Sequence, residues 1–231
     1  MVSYDKKNKM TKYLIFDAGP LINFAMNGLL PLLKKIRENS DTEFLITKEV
    51  KQECIDYPET TRRYELEAIQ INELFKENII KHADITNEEI NRLREKREEI
   101  MHIANNTFFS NGKPIHLLDK GECAALALSL ILKKPSVLVI DERTTRMLCE
   151  NPENLRKLLQ KKLHTNINAN KKNYEYFKNF KIIRSTELIY IANKQKLIEL
   201  KDKRAYEAML YAVKYKGCSV SEEEIEALKK M

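Results

Sequence analysis

Four acidic residues stand where carboxylates could work together. Asp17 and Asp141 each follow an apolar run, YLIF at 13–16 and SVLVI at 136–140, and so fall at the carboxyl ends of two expected strands. Glu122 opens the helix that leads into the second of those strands, and Glu53 lies on the face of a helix that follows ITKEV (46–50). In a parallel α/β sheet, ligands bind in the crevice beyond the carboxyl ends of the strands, which gives these acids a common place to meet. Three or four carboxylates gathered there repel one another by roughly several kcal/mol unless a divalent cation lies between them. Hard oxygen ligands select Mg²⁺ or Mn²⁺. Such a site polarises a phosphoryl oxygen, lowers the pKa of a bound water and stabilises the leaving oxygen, so the chemistry is phosphoryl hydrolysis without a protein nucleophile.

Each acid also has an ordinary explanation. Asp17 can cap the helix in whose first turn Pro20 sits. Asp119 and Glu122 are spaced D-x-x-E, as in a capping box. Glu53 lies close to Glu49 on a charged helix, where a solvated glutamate is commonplace. Asp17 and Asp141 are harder to dismiss, because both end apolar strands. Glu142 is a candidate for a place just behind the ligands.

The elements that must position these residues alternate along the chain. Strands are expected at 13–17, at EFLIT (43–47), at NIIKHADI (78–85), at 136–140 and at FKIIRS (180–185). Between them run helical stretches: LINFAMNGLLPLLKKI, interrupted near Gly28 and Pro31; Lys48 to Glu77, broken around Tyr57-Pro58; and a charged helix to about Ala104, opened by the Thr86/Glu89 capping box. NNTFFSNGKP (105–114) reads as a loop, 117–134 as a strongly apolar helix, and 144–162 as a helix that Pro152 can break. A polar Asn/Lys-rich segment covers 164–181. The chain ends in an expected helical hairpin, with Gly217 terminating one helix, Ser221 and Glu224 capping the next, and Val220 and Ile225 as a staple. Alternating strands and helices give an α/β fold with a mainly parallel sheet.

Composition narrows the partners. The chain has 231 residues, 43% of them hydrophobic, which suffices for a real core. Its 41 Lys and Arg against 34 Asp and Glu leave a charge of +7 and favour polyanions. Residues 161–181 hold six lysines against one glutamate, interleaved with Tyr174, Tyr176, Phe177 and Phe180. Lysines there could meet phosphates while the rings stack on bases; alternatively the rings pack into the core. Arg143 and Arg146 stand nearer the acids. Four scattered cysteines without C-x-x-C, and histidines without helical ligand spacing, argue against zinc. No apolar run approaches the roughly 20 residues of a bilayer span, and MVSYDKKNKM lacks the apolar core of a signal peptide, so a soluble cytoplasmic protein is expected. VLVIDE resembles a Walker B strand, but no G-x-x-x-x-G-K-[ST] accompanies it. IFDAG resembles the D-x-D motif of haloacid-dehalogenase-like phosphatases, but Gly19 takes the place of the second acid.

LIFDAGPLI (14–22), EVKQEC (49–54), LDKGECAALALSL (118–130) and VLVIDERTTR (137–146), in that order, resemble the PIN-domain nuclease family, in its prokaryotic branch, either VapC-like or bearing a D-x-G-E helix. The resemblance implies a three-layer α/β/α sandwich over 11–192; the charged helix at about 86–104 reads as an insertion in it, and 193–231 as a helical hairpin extension beyond it. It implies that Asp17, Glu53, Glu122 and Asp141 hold Mg²⁺ or Mn²⁺ and hydrolyse RNA as an endoribonuclease, toxin-like or RNA-processing. An antitoxin or a second copy would dock through the C-terminal helices, with no membrane involved. Two departures bear on this: Ala18 and Gly19 stand where many members carry a hydroxyl residue, and Glu122 stands where many carry Asp. A catalytically silent adaptor binding RNA or protein, and a structure-specific DNA nuclease, are the alternatives.

Overall fold

A computed structural model describes residues 13–231; residues 11–12 of the expected domain and the segment read for leader character lie outside the described residues. The chain opens with β1 (Tyr13–Phe16), α1 (Ala18–Met26), α2 (Leu30–Glu38), β2 (Glu43–Leu45) and α3 (Lys48–Lys51), which runs on into a π-helical turn at Gln52–Asp56. Next come α4 (Glu65–Lys76), β3 (Ile80–Lys81), α5 (Asn87–Asn105), β4 (Phe108–Ser110), β5 (Lys113–Pro114), α6 (Lys120–Ile131) and β6 (Ser136–Val139). The remainder holds α7 (Arg143–Glu150), α8 (Pro152–Leu163), β7 (Ile167–Ala169), α9 (Tyr174–Phe177), β8 (Ile182–Ile183), α10 (Ser185–Lys194), α11 (Ala205–Tyr215) and α12 (Glu222–Lys230).

Five strands form one parallel sheet in the order β3-β2-β1-β6-β8. Both faces are covered, and the strands alternate strictly between two apolar clusters. Leu14, Phe16, Phe44 and Val139 face the cluster built with α1, α2, α4, α10, α11 and α12. Ile15, Leu45, Leu138 and Ile140 face the cluster built with α5, α6, α7 and α8. The architecture is an α/β/α sandwich. The order places β1 and β6 side by side at its centre, with Phe16 opposite Val139.

Two stretches differ from expectation. The segment 105–114 forms a β4–β5 hairpin, and β7, inside the polar 164–181 segment, adds a third antiparallel strand. The hairpin turn is Asn111-Gly112, with φ of 50° and 76°, a pair suited to a two-residue turn because both residues tolerate positive φ. The aromatics of 174–180 pack inward: Phe177 is fully buried, and Tyr174, Tyr176 and Phe180 lie against the same cluster, so they offer no stacking platform.

The C-terminal hairpin forms as its capping signals require. Gly217 has φ of 124° after α11, and Ser221 and Glu224 exchange side-chain-to-backbone bonds at the start of α12. Its inner face, with Leu210, Val213, Val220 and Ile225, belongs to the same apolar cluster as Phe16 and Phe24. Among the described residues no helix is long and apolar enough to cross a membrane.

Candidate active site

Asp17 ends β1 at the centre of the sheet, where its N–H donates to the Val139 carbonyl at 3.1 Å. The residue is only 7% exposed. Burial, then the charges of Glu122 and Glu53, push its carboxyl up to about 8, although the Ala18 and Gly19 amides pull the other way.

Glu53 arrives from a different direction. Thr47 caps α3 by accepting from the Val50 N–H at 3.2 Å, Val50 is buried, and the π-helical turn that follows carries Glu53 with Cys54 and Ile55 anchored in the core. Its carboxylate reaches the first turn of α6: a Cβ on Gly121 would stand 3.2 Å from Glu53 Oε2. Partial burial and the neighbouring Asp119 carboxylate raise its pKa.

Glu122 is fixed at both oxygens. Oε2 accepts from the Asp119 N–H at 2.9 Å, as a capping box requires, and Oε1 accepts from the Thr145 hydroxyl. Burial pushes it up to about 7 against these two bonds, with Glu142 and Asp119 adding repulsion. Thr145 is itself fully buried, and its N–H donates to Glu142 at 2.8 Å. Capping therefore does not exclude a second role for Glu122, because the helix start is what aims this side chain.

Asp141 takes another course. Its carboxylate accepts from Asn23 Nδ2 at 3.0 Å, from the Ser185 N–H at 2.8 Å and from the Ser185 hydroxyl at 2.7 Å. The Cys218 thiol also bonds to it, and burial together with this acid pushes that thiol upward. Alternation explains the divergence. Asp17 shares the parity of Ile15, on the α6 side of the sheet, whereas Asp141 shares the parity of Val139, on the α1 and α10 side. The two acids sit on neighbouring strand ends and face opposite layers.

The structure thus brings Asp17, Glu53 and Glu122 into one charged neighbourhood and commits Asp141 to protein donors. Glu142 caps α7 behind Thr145. Sequence reasoning missed Thr145, Gly121, Asn23 and Ser185. Thr145 had one available signal, its place in the first turn of the helix after an acid-ending strand; Asn23 and Ser185 act across 118 and 44 residues and had none.

Among the described residues no group of three or more His, Cys, Asp or Glu side chains stands ready to hold an ion as arranged. The donor chemistry nevertheless fits a hard divalent cation. All three converging groups are carboxylates, all three are raised in pKa, and a cation between them relieves the burial and repulsion that raise them.

A family model described as a PIN domain matches residues 13–154, a span that contains all four predicted acids. Nothing among curated proteins or solved structures matches the chain significantly. With the parallel sandwich and the ordered motifs, that match over more than half of its length shows that the chain belongs to the PIN-domain nuclease family.

Proposed function

We propose that the protein is a Mg²⁺- or Mn²⁺-dependent endoribonuclease whose ion is held by Asp17, Glu53 and Glu122. The observation that carries this reading is the convergence of three carboxylates from three separate elements at the carboxyl end of the central strand. A bound divalent ion supplies phosphoryl polarisation and a water of lowered pKa. The chain's own contribution is orientation. Thr145 and the Asp119 amide fix Glu122, and the glycine at 121 lets Glu53 approach α6. Asp141 holds β6, α1 and α10 in place beside the cleft. The positive balance of the chain favours a polyanionic substrate.

The test is cleavage of a mixed RNA pool by purified protein in Mg²⁺, in Mn²⁺ and in EDTA, beside Asp17→Asn and Glu122→Gln. Metal-dependent cleavage that falls at least about 100-fold in both variants is expected, because each removes a charged ligand on which the ion and its stabilisation of the transition state depend. RNA left intact in both ions would overturn the reading. Competition with branched DNA separates an RNA nuclease from a structure-specific DNA nuclease. A second reading draws on Asp141, whose commitment to Asn23 and Ser185 leaves three acids rather than four facing the cleft: a PIN-fold protein that binds RNA or protein without cleaving. Binding that survives EDTA, with no cleavage in either ion, would select it.

A further inference from the structure

A basic groove runs along α7, the helix that carries Thr145. Between α7 and α8 lies an open groove of about 530 Å³, in which Arg143, Arg146, Lys157 and Lys161 face a single acid, Glu150. One face of α7 holds Glu122 through Thr145, and the adjacent face, through Arg143 and Arg146, forms the groove wall. The cleft and the groove therefore share a helix.

Three of the four cations of this groove, Arg143, Lys157 and Lys161, have no ion pair among the described residues, and the two arginines are held in place. Lys157 and Lys161 make no ion pair among the described residues, and Arg143 bonds only to the Ser219 hydroxyl, from Nε at 3.1 Å. Arg146 is anchored to the Ser219 carbonyl at 3.0 Å, stands 3.5 Å from Glu150 and 3.7 Å from Glu224, and keeps a buried Nε–H with no acceptor. Lys157 and Lys161 lie one turn apart on α8, about 6 Å along its axis, and both are exposed. Charged oxygens repeated along a flexible chain match this row of donors, and a nucleic-acid backbone supplies them.

We propose that the α7–α8 groove binds the sugar–phosphate backbone of single-stranded RNA flanking the bond presented to the acids. The choice of RNA rests on the nuclease reading; the groove's affinity for a phosphate backbone does not. Residues 143 and 146 grip phosphates next to the cleft, and residues 157 and 161 extend the track.

The test is fluorescence anisotropy with a short labelled oligouridylate in EDTA over a salt titration. It compares the whole protein, K157A/K161A, and K201A/K203A, which removes the same charge from an exposed segment elsewhere. The groove variant is expected to bind about tenfold more weakly and to lower the salt slope by about 1.4, the contribution of two single-strand phosphate contacts, while the control stays within about twofold. Equal weakening in both variants, or none in the groove variant, would overturn the proposal, as would polyglutamate competing as well as oligouridylate. Because these arms contain no divalent ion, they are independent of cleavage. RNA bound through the groove but never cut in Mn²⁺ would remove the nuclease reading and leave the groove standing. Full cutting by K157A/K161A with unchanged affinity would do the reverse.

Discussion

Asp17 and Asp141 carry the same functional group at adjacent strand ends, and their surroundings give them opposite energetics. Asp17 is buried beside Glu122 and Glu53, so its charged form is penalised; Asp141 is buried among hydrogen-bond donors, from which both of its oxygens accept. Removing the charge should therefore have opposite effects. In EDTA at pH 8, Asp17→Asn is expected to raise stability by about 1–3 kcal/mol, because it removes an uncompensated buried carboxylate. Asp141→Asn is expected to lower it by about 2–4 kcal/mol, because an amide nitrogen must then face Asn23 or Ser185 donors. Urea denaturation of the three proteins measures both, and equal shifts of one sign would refute the division of roles. The pH dependence follows from the same shifts. Asp17, at about 8, and Glu122, at about 7, keep protons in the folded chain that the unfolded chain releases near the ordinary carboxylate values. Between about pH 4 and pH 8 the unfolded state binds fewer protons, so stability falls as pH rises, by up to about 1.4 kcal/mol per pH unit for each group. Melts in EDTA from pH 5 to pH 8 should show that decline, Mn²⁺ at pH 8 should reverse it, and Asp17→Asn should flatten it. A stability that rose across this range would contradict the account.

At the scale of elements, the capping and turn chemistry did the positioning, and much of it was legible. The Thr86 and Ser221 capping boxes, the Pro152 break, the Gly217 terminator and all five strands of the parallel sheet are visible in local pattern, because each depends on residues within a few positions. The Asn111-Gly112 turn carried a hairpin signal too, but its strands are so short that no alternation surrounds it. The faces of Asp17 and Asp141 were illegible for a different reason: β1 and β6 are buried on both sides, so their apolar runs contain no polar alternation from which to read a phase. The π-helical turn that delivers Glu53, and the reason for a glycine at 121, are likewise tertiary facts. Gly121 gives a prediction of its own. A methyl there meets Glu53 Oε2 at 3.2 Å, the far end of a flexible side chain that can swing away. Gly121→Ala should thus gain about 0.5–1 kcal/mol of helix stability while displacing a ligand. Thermal melts and RNA cleavage, measured together, should show a higher midpoint with cleavage reduced about tenfold or more. Cleavage unchanged in a stabilised variant would remove Glu53 from the site.

At the scale of the whole molecule, the C-terminal hairpin is bound to the α1 and α10 layer of the sandwich by packing and by polar ties. Leu210, Val213 and Ile225 are fully buried in the cluster that covers β1, and Arg184, at the end of β8, donates to Glu224 at 2.8 Å and to the Ser219 carbonyl at 3.2 Å. The same turn reaches the site region: the Ser219 N–H donates to the Asp141 carbonyl at 3.0 Å, and Asn23 spans from Asp141 to the Val213 carbonyl at 2.9 Å. A partner that docks on these helices must therefore use their outer faces, since the inner face is already covered. Deleting residues 205–231 exposes the apolar surface of α1 and α10 and strips Asp141 of its Cys218 bond. Burial of a single large aliphatic side chain is worth about 1.5–3 kcal/mol, so losing three fully buried ones with their neighbours matches the total stability of a typical domain, about 5–15 kcal/mol. A chain ending at residue 204 should accordingly melt at least about 10 °C lower than the whole protein, or fail to accumulate in soluble form. Circular dichroism melts in EDTA, where no ion can compensate, measure this directly. A truncated chain that melted cooperatively within a few degrees of the full one would show that the sandwich is complete without the hairpin, and that the ties through Ser219 and Asn23 hold the hairpin to the site rather than the site to its fold.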